Sequence, residues 1–109
     1  MMGRAQITLA ATLFSFPAFA FDPSMQMTGA AFSQACTRAD ESWISFCNGY
    51  VQAAIDGLRE GDGICIPNGT TRTDLVTVTE RAITAISELQ AMNAHEAVRV
   101  VMRHSYPCS

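Results

Sequence analysis

Residues 40–60 read DESWISFCNGYVQAAIDGLRE. Trp43, Cys47, Tyr50, Val51, Ala54, Ile55 and Leu58 recur there in steps of three and four. That is the period of one buried stripe on an α-helix, not the alternation of a half-buried strand. Asp40 is placed to cap this helix, and Gly61 to end it in the left-handed conformation. The same period extends outward on both sides. Residues 28–38 give a short first helix, with Thr28 as N-cap and Ala31, Phe32 and Ala35 inward. Residues 72–90 give a third, opened by the capping box Thr71-x-x-Asp74, with Leu75, Val76, Ala82, Ile83, Ile86 and Leu89 inward. Its β-prone Thr77-Val78-Thr79 is outweighed by the helical period around it. Asn93-x-x-Glu96 opens a fourth, with Ala94, Ala97, Val98, Val101 and Met102 inward, and Pro107 stops it. The expected fold is all-α, a compact four-helix domain. Residues 61–70, GDGICIPNGT, form an ordered loop that holds Cys65 between two isoleucines.

The opening residues, MMGRAQITLAATLFSFPAFA, have the anatomy of a secretory signal peptide. Arg4 precedes an uncharged, mostly apolar run over residues 5–16, and Ala18-Phe19-Ala20 fits the small-x-small cleavage pattern. Cleavage after Ala20 leaves residues 21–109 as a single exported domain. The apolar run is shorter than the ~20 residues of a bilayer span. No cysteine follows the cleavage position to take a lipid, so no stable membrane anchor is expected.

Four cysteines, Cys36, Cys47, Cys65 and Cys108, in a short exported chain imply two disulfides. Four cysteines allow three pairings. A hairpin between the first two helices favours Cys36 with Cys47, which leaves Cys65 with Cys108 and ties the loop to the tail. No C-x-x-C pair is present, and Pro107 spoils a shared helical face for His104 and Cys108, so no zinc site is expected. There is no lysine, and residues 21–109 carry six arginines against ten acids, a net charge of −4. That excludes the basic stripe of a nucleic-acid binder. The only histidines are His95 and His104. No H-E-x-x-H, G-x-S-x-G or glycine-rich phosphate loop occurs, so neither catalysis nor a cofactor is expected. Trp43 and Tyr50 read as core residues of a small domain rather than as partner anchors.

Taken together, FCNGYVQAAIDG (46–57), ICIPNGTT (64–71) and the terminal YPC (106–108) resemble the signature of the Rap/Tai immunity protein family. The matching positions are Cys36, then Cys47, Gly49, Tyr50, Ala53 and Asp56, then Cys65 and Pro67, and last Tyr106, Pro107 and Cys108. The resemblance implies a periplasmic, disulfide-bonded helical domain similar in fold to the HdeA-type acid chaperones. It implies binding to a peptidoglycan amidase toxin of a type VI secretion system, occlusion of that enzyme's active site, and in many members a homodimer. It gives Gly49 to close helix packing, and Tyr50 and Asp56 to capping or bridging. It also points to the connection before the last helix as the toxin-binding surface: Gln90, Met92, Asn93 and His95. The chain departs from the family pattern in having Asp74 where a glutamine is common, and in having no proline in residues 90–95. The rival functions are an acid-stress chaperone, which two disulfides and the lack of lysine fit poorly, and an accessory periplasmic binding protein.

Overall fold

The computed structural model of the chain describes residues 26–109. The signal peptide expected over residues 1–20 lies outside them. Among the described residues there are five helices: α1 (Gly29–Cys36), α2 (Glu41–Asp56), α3 (Arg72–Ala85), α4 (Ser87–Ala91) and α5 (Ala94–Ser105). The fold is all-α, as the hydrophobic period requires. The N-terminal signals act as their chemistry predicts. Thr28 Oγ1 accepts from the Ala31 N–H at 3.1 Å. Thr71 and Asp74 form the full reciprocal capping box. Asn93 Oδ1 accepts from the N–H groups of His95 and Glu96 at 3.0 and 3.3 Å. Asp40 departs from expectation: its carboxylate pairs with Arg38 at 3.3 Å and makes no cap bond.

Two boundaries differ from the sequence pattern. The second helix ends at Asp56, with Gly57 at its C-cap in a right-handed conformation. Gly61 does adopt positive φ (95°), but in the turn that follows, where Asp62 takes the Arg59 N–H at 2.7 Å. The third helix breaks at Ile86, whose φ of −121° and ψ of 110° are extended. This break makes five helices where four were expected. No glycine or proline marks it. The carbonyls of Ile83 and Thr84, orphaned at the end of α3, are instead satisfied by the Gln90 side-chain amide at 3.0 and 3.1 Å. The break turns Ile86 outward, 43% exposed, where the periodicity placed it inside.

The core gathers Phe32 of α1, Val51 and Ala54 of α2, Leu75 and Ile83 of α3, Leu89 of α4, and all five residues assigned inward on α5. Ala31 is exposed, contrary to the sequence pattern. Thr79 is buried, which the pattern missed, and its hydroxyl is satisfied by donating to the Leu75 carbonyl at 2.7 Å.

Disulfides join Cys36 to Cys47 and Cys65 to Cys108, with Cα separations of 5.7 and 4.9 Å. The first ties the end of α1 to α2. The second lies in an antiparallel bridge between Ile64 and Pro107. There the Cys65 N–H donates to the Tyr106 carbonyl at 2.7 Å and the Cys108 N–H to that of Gly63 at 3.3 Å. Closing loops of this length stabilises by about 3 and about 4 kcal/mol in the chain-entropy model.

Candidate partner-binding surface

The connection from α4 to α5 is held against residues 27–29. Thr28 and Asn93 form an antiparallel bridge. The Gly29 N–H donates to the Met92 carbonyl at 2.7 Å, and the Ala94 N–H to that of Met27 at 2.8 Å. Gly29 is buried at this crossing, and a Cβ there would strike the Leu89 carbonyl oxygen and stand 3.3 Å from Gln90 Cα. This is therefore the position where only glycine lets two backbones meet.

The four residues singled out in the sequence divide into two kinds. Gln90 spends its amide on the end of α3, Met92 packs half-buried against the core, and Asn93 caps α5. Each fixes the shape of the connection. His95 is exposed on the first turn of α5. Ile86 also lines an apolar groove of about 240 Å³, with Ala82, Leu89 and, from the C-terminal half of α5, Val100 and Val101; His104 and Ser105 are its polar members. Sequence reasoning missed the groove because it placed Ile86 inside a continuous helix.

The signature residues sit elsewhere. Tyr50 stacks obliquely between Phe32 and Phe46, with ring centroids 5.3 and 5.8 Å away, and burial raises its hydroxyl above the ordinary tyrosine value. Asp56 accepts from Gln52 Nε2 at 2.8 Å at the end of α2. The Pro67 carbonyl accepts from the Thr70 hydroxyl at 2.8 Å and closes the loop. Tyr106 and Pro107 hold the tail in the bridge beside Cys65. Gly49 does not serve close helix packing: it is exposed, and nothing lies within 4 Å of where its Cβ would be. The close-packing glycine is Gly29.

At the other end of α5, Asp62 joins the loop to the helix. Its carboxylate meets Arg99 at 3.2 Å, and its carbonyl accepts from Arg103 Nε at 3.1 Å. The Arg59 N–H, helped by the Arg99 and Arg103 charges against a cost of desolvation, holds the Asp62 carboxyl below the usual carboxylate value.

Among the described residues no group of three or more His, Cys, Asp or Glu converges. Residues 28–108 match the family model of the Rap1a immunity proteins. The chain belongs to that family. The matched segment begins at the N-cap of α1 and ends at Cys108, so it contains all five helices and both disulfides. Searches of curated proteins and of solved structures each found no match. Membership in the Rap1a immunity proteins implies an immunity role carried out by binding a cognate toxin effector. No helix among the described residues is long and apolar enough to cross a membrane.

Proposed function

We propose that the protein is exported to the periplasm after loss of residues 1–20. There it protects the cell by binding a type VI peptidoglycan amidase and occluding its active-site cleft, with no catalysis of its own. The observation that carries this reading is the family match over residues 28–108. Two further features support it. The signal-peptide pattern sends the domain to the compartment where a cell-wall amidase acts. The connection over residues 90–95 is stapled to α1, so it enters a complex with little ordering cost.

In this reading His95 touches the toxin directly, while Gln90, Met92 and Asn93 hold the connection in its binding shape. The groove beside Ile86 supplies apolar contact. At about 240 Å³ it lies below the ~300–1,000 Å³ of drug-sized ligand pockets, and it fits a single protruding side chain better. His95→Glu separates binding from folding because the residue is exposed. Titration calorimetry against the amidase is expected to show at least about a tenfold loss of affinity, about 1.4 kcal/mol, with an unchanged melting temperature. Unchanged affinity for His95→Glu and for substitutions at Gln90, Met92 and Asn93 would remove this connection from the interface.

A further inference from the structure

The dipeptide Asn-Gly occurs twice in the chain, as Asn48-Gly49 and as Asn68-Gly69. The fold gives the two copies opposite surroundings. Asn48 is half-buried in the middle of α2. There the Gly49 N–H belongs to the helical ladder, and the helix holds ψ of Asn48 at about −42°. Asn68 and Gly69 are both exposed, at the centre of the turn from Pro67 to Thr70. The Pro67 carbonyl closes that turn by accepting from the Thr70 N–H at 3.2 Å and from the Thr70 hydroxyl at 2.8 Å. Gly69 has a φ of 92°, while Asn68, like every other non-glycine described, has negative φ. This is the type II pattern, which sets ψ of its second residue at about +120° and engages the N–H of its fourth. Among the described residues no backbone carbonyl accepts from the Gly69 N–H.

We propose that Asn68 is a site of spontaneous covalent modification, deamidation through a succinimide, and that the fold protects Asn48 from the same reaction. The only co-reactant is water. The Gly69 backbone nitrogen gives up its proton and attacks Asn68 Cγ. The N–Cγ bond forms, the Cγ–Nδ2 bond breaks, and Nδ2 leaves as ammonia. Closing this ring takes an extended ψ at the asparagine, which the type II turn supplies and the helix does not. Glycine adds no Cβ to crowd the attacking nitrogen. Water then opens the ring at either carbonyl. Addition at Cγ gives aspartate. Addition at the main-chain carbonyl carbon gives isoaspartate, whose backbone runs through Cβ. Either product adds a carboxylate to a chain that is already acidic. Isoaspartate also puts an extra atom into the main chain of a four-residue turn, so the bonds from Thr70 to the Pro67 carbonyl are lost. That turn lies between Cys65 of the second disulfide and Thr71, the N-cap of α3.

The inference does not rest on the proposed function, and no toxin is needed to test it. The oxidised protein is held at 37 °C at pH 6 and at pH 8.5, sampled over days, and mapped by peptide mass spectrometry. Aspartyl and isoaspartyl forms are expected at position 68, and faster at pH 8.5 because the attacking nitrogen must lose its proton. Asn48 has to wait for local opening of α2, so it is expected to react at least about tenfold more slowly. In concentrated urea the difference between the two sites is expected to vanish, which assigns it to the fold. Asn68→Gln is expected to abolish the acidic form seen by ion exchange, with helix content retained by circular dichroism. Asn68 intact at pH 8.5 while both sites react in urea, Asn48 reacting as fast as Asn68 in the folded protein, or an undiminished acidic form in Asn68→Gln would each overturn the proposal.

Discussion

Replacing each of two glycines by alanine should move the stability of this domain in opposite directions. Gly29 is the tight crossing between α1 and the 90–95 connection. A methyl there meets backbone, the Leu89 carbonyl and Gln90 Cα, and backbone cannot rotate away as a side chain could. Forcing an extra methyl into a packed site costs roughly 1–3 kcal/mol. Separating the two strands also strains the bonds from Gly29 to Met92 and from Ala94 to Met27, each worth about 1 kcal/mol net. The expected loss for Gly29→Ala is about 2–4 kcal/mol, or on the order of 10–20 °C in melting temperature for a domain of this size. Gly49 lies mid-helix, exposed, with nothing near its Cβ position. Alanine there removes the conformational cost of glycine and should stabilise by about 0.5–1 kcal/mol. Urea titration of the oxidised proteins followed by circular dichroism at 222 nm measures both. A Gly29→Ala protein as stable as wild type would refute the crossing on which the shape of the candidate surface depends. A destabilised Gly49→Ala would show that its position is packed after all.

Replacing Cys65 and Cys108 together by serine should cost up to about 4 kcal/mol by the loop it opens, read as a lower urea midpoint than wild type. Gln90→Ala leaves the Ile83 and Thr84 carbonyls without their donor, and a loss of about 1–2 kcal/mol is expected in the same titration. Thr71→Ala removes half of a capping box and should cost about 1 kcal/mol. The Asp62 carboxyl is held below its unfolded value of 3.8. Its contribution is therefore fully present above the unfolded value and is lost as pH falls through the lower folded one. Asp62→Asn should flatten that acid limb in unfolding titrations stepped downward from pH 6. An unchanged acid limb would show that the Arg59, Arg99 and Arg103 contacts carry no linked stability.

Much of the fold was legible because its signals are local. Thr28, Thr71 and Asn93 announce helix starts with side chains that bond within three residues. The stripe on α5 is amphipathic enough that all five inward residues were read from spacing alone. The break at Ile86 was not legible because the group that permits it, the Gln90 amide, lies four residues further on and looks like any polar helix residue. The early end of α2 escaped for a related reason: Gly57 and Gly61 are both plausible stops, and only the Asp62 turn decides between them. Placing the candidate surface at residues 90–95 came from the family resemblance alone. The Asn93 cap within it is local and was read from spacing. The backbone crossing at Gly29 was not legible, because it joins segments about sixty residues apart in sequence.

The central claim is toxin inhibition, and the most direct measurement is enzymatic. Oxidised residues 21–109 are added in increasing molar ratio to the type VI peptidoglycan amidase of the same cell, and cleavage of peptidoglycan fragments is followed. The account predicts activity falling linearly to zero at one protein chain per enzyme. An amidase that keeps full activity in the presence of excess folded, oxidised protein would contradict it.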